Sequence, residues 1–223
     1  MPTMRLNRRI LGCGIASSQS SLYNNTDRGL NTATGQSALL KDTVGGENTA
    51  NGWEALASNT TGSNNTASGS SALHLNTNGS DNTAVGYHAL LSNGFDAIDN
   101  TAVGSGALSS NTSAGFNTAI GFHALFTNTA SNNTAVGSEA LLNNTTATQN
   151  TSMGGAALFK NTRGNNNTAD GSGALFSNTT GSNNTADGPL ALENNTIGHD
   201  NIAEGFQALA NNTSGSSNIA LGV

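Results

Sequence analysis

The stretch N-T-A-V-G-Y-H-A-L, Asn82 to Leu90, returns as N-T-A-V-G-S-E-A-L from Asn133 to Leu141, and weaker copies run along most of the chain. Aligned on Asn-Thr-Ala and its variants, the copies start at Asn31, Asn48, Asn65, Asn82, Asn100, Asn117, Asn133, Asn150, Asn167, Asn184, Asn201 and Asn218. The interval is 17 residues, with one of 18 and one of 16. A degenerate copy, Gly14 to Leu22, sits one period earlier. The consensus unit is N-T-A-x-G-x-x-A-L-x-x-N-T-x-G-x-N, whose residues are positions 1 to 17 below.

A fixed period outranks local propensity in deciding architecture. Gly at positions 5 and 15 and the Asn-Thr pairs argue against helix. Two short extended segments per unit, separated by Gly and Asn turns, fit better. The expected fold is therefore all-β: a parallel β-solenoid, or β-roll, in which each 17-residue unit is one turn. Residues 14–223 form the solenoid, and residues 1–13 a half-coil or cap. Turns stacked ~4.8 Å apart make thirteen starts a rod roughly 60 Å long.

Strand alternation assigns the faces. Position 3 is almost always Ala, as at Ala84, Ala102, Ala119 and Ala135, and points into a tight interior. Position 4 points the other way. It reads Val85, Val103, Ile120, Val136 and Met153 in the middle turns, then Asp170, Asp187 and Glu204. Positions 8 and 9 are Ala and Leu, with Leu90, Leu108, Leu125 and Leu141 among the copies. Adjacent strand residues face opposite sides, so these leucines are expected to pack against a neighbouring chain, unless a bend turns both inward. Energetics point the same way. Burying a Leu contributes ~2 kcal/mol while ordering each residue costs ~1 kcal/mol or more, so backbone stacking, Asn ladders and other chains must supply the difference.

Of the 223 residues only 9% are charged and 4% aromatic, and the net charge is -6. With seven Lys and Arg scattered apart from Arg5, Arg8 and Arg9, a nucleic-acid-binding face is excluded. Cys13 is the single cysteine, so no intrachain disulfide or cysteine zinc cluster can form. No apolar run approaches the ~20 residues of a membrane span. The opening M-P-T-M-R-L-N-R-R-I-L-G-C-G has the basic flank of an export signal but only a short apolar stretch.

The copies N-T-A-V-G-Y-H-A-L, N-T-A-V-G-S-G-A-L, N-T-A-I-G-F-H-A-L and N-I-A-L-G resemble the head repeats of YadA-like trimeric autotransporter adhesins, repeats also found in phage tail-fibre proteins. The resemblance covers roughly Gly14 to Val223. It implies a left-handed roll, a homotrimer, and an extracellular, cell-surface or virion location. The 17-residue period is longer than the usual head repeat, and no coiled-coil stalk or membrane anchor follows.

The chain stops at Asn218 to Val223, partway through a turn, and Leu6 to Gly12 can be laid over the Leu-to-Gly half of a unit. If these ends are natural, molecules stacked head to tail would complete a coil and build a filament. If they are cut points in a longer chain, they would not.

Candidate sites are few. Trp53, Tyr87, Phe122 and Phe206 recur at position 6, with Ser70 and Ser105 between the first three, and are expected to make lateral contacts between chains or, as a spaced ladder, to bind sugar. His88 and His123 at position 7 lie two turns apart, too far to share a metal directly, and read as exposed surface histidines. Asp170, Asp187 and Glu204 form a solvated acidic face, or carboxylate rings around a threefold axis suited to a hard cation. The sequons at Asn64, Asn132 and Asn166 follow from the repeat itself. No catalytic constellation and no cofactor motif is present in the sequence, which reads as a non-enzyme.

Three functions remain. The first is a structural subunit of a self-assembling extracellular or surface fibre. The second is a receptor- or glycan-binding adhesin head or tail-fibre segment. The third is an ice-binding solenoid, suggested by Thr at positions 2 and 13 and weakened by Gly94 and Ile202, which interrupt the two ladders.

Overall fold

The computed structural model describes residues 15, 16, 21, 22, 24 and 29–222. The half-coil or cap expected at residues 1–13 lies outside them. The described chain is an all-β parallel solenoid. Its thirteen strands run from β1 (Ile15–Ala16) and β2 (Thr32–Thr34) to β13 (Ile219–Leu221) and pair in chain order within one sheet. Register is strict: Thr83 pairs Thr101, Ala84 pairs Ala102 and Val85 pairs Val103, so each consensus position stacks on itself.

Each complete turn contains one three-residue strand where two were expected. The rest of the coil is a succession of tight turns, and the cause is backbone handedness. Position 7 (His88, φ 56°), position 9 (Leu90, φ 50°) and position 17 (Asp81, φ 59°) all adopt the left-handed conformation, as do their counterparts in most turns. Each such L-residue costs ~1–2 kcal/mol. Hydrogen bonds between turns offset that cost. The Leu90 N–H donates to Ala107 O (2.9 Å), His88 N–H to Ser70 O (3.1 Å) and Asp81 N–H to Ser63 O (3.0 Å). Ladder bonding thus continues around the coil where no strand does.

The same conformation corrects the assignment of faces. A left-handed residue breaks strand alternation, so positions 8 and 9 both turn inward. Leu90, Leu108, Leu125 and Leu141 are fully buried with Ala84, Ala102, Ala119 and Ala135 in the core of their own coil, and none is at a surface where another chain could reach it. Gly86 fixes the corner before this arc. Its φ is +132°, and a Cβ there would lie 2.6 Å from Gly104 O.

Two Asn columns complete the interior. At position 1, Oδ1 of Asn48 accepts from the Asn65 backbone N–H (2.9 Å) and from Asn65 Nδ2 (3.1 Å). At position 12, Asn76 Nδ2 donates to Asn59 Oδ1 (2.8 Å). The columns meet at position 15, where Gly79 O accepts from Asn65 Nδ2 (2.8 Å) and Asn76 Nδ2 (3.0 Å). Every turn of this kind is tied across its width and to the turn below, without any group from outside the chain.

Candidate interaction site

The inward positions leave three kinds of outward feature. The first is the sheet face, where positions 2 and 4 point away from the buried Ala column. Thr occupies position 2 from Thr32 to Thr185, and Val85, Val103, Ile120, Val136 and Met153 form five consecutive apolar rungs at position 4. Val85, Ile120 and Met153 are exposed, at 39 to 44%. Beyond these rungs Asp170, Asp187 and Glu204 continue the column as exposed carboxylates. Among the described residues no group of three His, Cys, Asp or Glu is placed to hold a metal.

The second feature is the corner carrying positions 6, 7 and 10. Trp53, Tyr87, Phe122 and Phe206 all project there, each about half exposed. His88 and His123 are half-buried, not the exposed histidines expected. Left-handed φ at position 7 brings each histidine to the same side as the residue before it. The Tyr87 and His88 rings stack at 3.7 Å and 20°, and Phe122 and His123 at 3.8 Å and 21°. His123 also meets Phe126, at 4.5 Å. The turn between these pairs carries Ser105, Gly106 and Ser109 at the same three positions. The result is a notch of about 310 Å³ with the Tyr87 turn as one wall and the Phe122 turn as the other. Gly106 leaves room for the ring of His123, which a Cβ there would meet.

The third feature was not foreseen. The 18-residue turn adds a residue between Asn93 and Ala97, and its loop exposes Phe95 (69%) and Ile98 beside Phe116 of the next turn. The single long interval was the available signal.

The Thr column at position 13 is not a free hydroxyl array. Oγ1 of Thr60 donates to Thr77 O (2.9 Å), and Thr162, Thr179 and Thr196 bond their following turns in the same way. Among the described residues no helix is long and apolar enough to cross a membrane. No protein-family model, curated protein or solved structure matches this chain. The fold and the chemistry of its faces therefore carry the functional reading.

Proposed function

We propose that the protein is a structural subunit of an extracellular or surface fibre, a rod that associates with copies of itself, as a homotrimer and in head-to-tail filaments. The observation that carries the reading is the apolar run Val85 to Met153 on an in-register sheet face. The Ala and Leu core is filled from within one chain, so this outward run is available for contact between chains. Covering half-exposed side chains of this kind contributes about 1 kcal/mol each, which is roughly 5 kcal/mol per chain over five rungs. The resemblance to trimeric adhesin heads supports three copies over two, and an extracellular, cell-surface or virion setting.

Sedimentation velocity and negative-stain microscopy of the purified chain test this. Trimers or longer rods are expected, with Ile120→Asp shifting the population to monomer. A wild-type chain that stays monomeric at high concentration overturns the proposal. Discrete trimers without filaments would leave the rod and remove the fibre, favouring an adhesin head or tail-fibre segment.

A further inference from the structure

We infer that the notch between Tyr87 and His88 on one side and His123 and Phe126 on the other is a binding site for a neutral pyranose unit of a surface or extracellular polysaccharide. The inference does not depend on rod assembly, because the notch lies on the corner of positions 6, 7 and 10 and the sheet face is formed by positions 2 and 4. Its shape comes from one departure in the repeat. The turn starting at Asn100 carries Ser105, Gly106 and Ser109, where the turns on either side carry Tyr87, His88 and Leu91 or Phe122, His123 and Phe126. One turn of small residues sets the backbones of the two aromatic turns two strand spacings apart, ~9.6 Å, and the His123 ring leans over Gly106 into part of that gap. The volume of this half-open notch, about 310 Å³, is at the lower end of the range of small-ligand pockets.

The lining selects the ligand class. Aromatic rings are flat apolar faces with polar tips, matching a pyranose, which has a C–H face and a rim of hydroxyls. The Ser105 and Ser109 hydroxyls, the Tyr87 phenol and the ring nitrogens of His88 and His123 can both donate and accept, as sugar hydroxyls require. No Asp, Glu, Lys or Arg lines the notch. No permanently charged side chain is there to hold a carboxylate, sulfate or phosphate, and the net charge of -6 repels polyanions. The stacked ring pairs are held against their own turns, so little side-chain entropy remains to be lost on binding.

The test uses the full-length chain against an array of neutral and acidic glycans. Solution titration with methyl pyranosides of glucose, galactose and mannose follows, read by saturation-transfer difference and by the imidazole signals. With four histidines in the chain, those of His88 and His123 can be assigned by single substitution. Neutral glycans are expected to bind and to shift these two signals. Tyr87→Ala should weaken binding at least tenfold. Ser105→Tyr, which restores to the turn a residue its neighbour already carries, should weaken it as much by filling the notch. Trp53→Ala, two turns from Tyr87, should leave binding unchanged. If Tyr87→Ala fails to fold, Ser105→Tyr decides. Absence of binding to any neutral glycan, binding confined to acidic glycans, or binding that survives both notch variants overturns the inference. Sedimentation of the same samples reports assembly separately.

Discussion

The position-12 Asn column has one fault, and its energetics can be tested by a pair of matched substitutions. Asn76 makes three contacts in the column: Nδ2 donates to Asn59 Oδ1 (2.8 Å) and Gly79 O (3.0 Å), and its Oδ1 accepts from Asn93 Nδ2 (2.9 Å). Asn111 donates to Asn93 Oδ1 (2.9 Å) and Ala114 O (2.9 Å), but its buried Oδ1 has no partner. The 16-residue turn explains this. Its missing residue lies between Asn128 and Ala130, so Asn128 Nδ2 turns to Ala130 O at 2.7 Å instead of reaching down to Asn111.

Asn76→Ala therefore strands Asn59 Oδ1 inside the coil and takes one acceptor from Asn93. At about 1 kcal/mol net per hydrogen bond, and 1–3 kcal/mol for a buried polar atom left unpaired, the loss is about 3 kcal/mol. Asn111→Ala also strands an acceptor, Asn93 Oδ1, but it breaks one bond fewer and removes an atom that is already unpaired. The expected loss is about 1 kcal/mol. The difference of about 2 kcal/mol corresponds to roughly 4–8 °C in Tm for a chain of this size. Urea unfolding followed by circular dichroism at fixed chain concentration measures both variants. Equal losses would refute the reasoning, because they would mean that Asn111 Oδ1 is as well satisfied as Asn76 Oδ1.

Gly86→Ala should cost more than either, about 4 kcal/mol or above, since it adds backbone strain at φ +132° to a contact with Gly104 O that the backbone must move to relieve; thermal melting would show a large drop or loss of folding. Ser152→Ala should be nearly neutral, within about 1 kcal/mol by urea unfolding. Ser152 stands where other turns have Ala, and Ala157 O, to which its Oγ donates at 2.8 Å, also accepts from the Leu141 N–H at 3.0 Å. The Asp200 carboxyl lies below the usual aspartate range, chiefly through its hydrogen bond with His199 and secondarily that from Asn183. Because the folded pKa is depressed, its contribution is complete above the ordinary aspartate pKa and is lost as pH falls through the lowered one. Carboxyl carbon NMR should show His199→Gln moving the Asp200 titration upward, and an unchanged midpoint would remove His199 as the cause.

The solenoid, its period and the inward Ala of position 3 were all legible, because strict repetition places like residues on like and only small side chains fit the tight column. The second strand and the outward leucines were misread for one physical reason. Sequence rules treat positive φ as the province of Gly and Asn, yet here Leu39, Leu56 and Leu73 adopt it near 50° in successive turns. Stacking makes this possible, since one hydrogen bond to the neighbouring turn is available at each such residue. A single unit considered alone offers no such compensation. The candidate site was half legible. Spaced aromatics with Ser105 between them are visible in the letters, but the Tyr87–His88 stack depends on the same left-handed position 7.

The placement of the two irregular turns follows from where hydrogen bonds and interior residues lie. Both changes in length, the extra residue before Ala97 and the missing one before Ala130, fall between positions 12 and 15. From position 1 to position 12 the coil alternates ladder bonds with buried Asn, Ala and Leu, and a one-residue slip there would put a polar or oversized side chain into a fully buried column. Between positions 12 and 15 the side chains point outward, so a residue can be added at the cost of exposing Phe95, or lost at the cost of one Asn–Asn bond. The long turn, the notch turn and the short turn are consecutive, starting at Asn82, Asn100 and Asn117 respectively. The departures from the repeat thus share one stretch of the rod, where the exposed Phe95, the notch and the unpaired Asn111 Oδ1 fall within neighbouring turns.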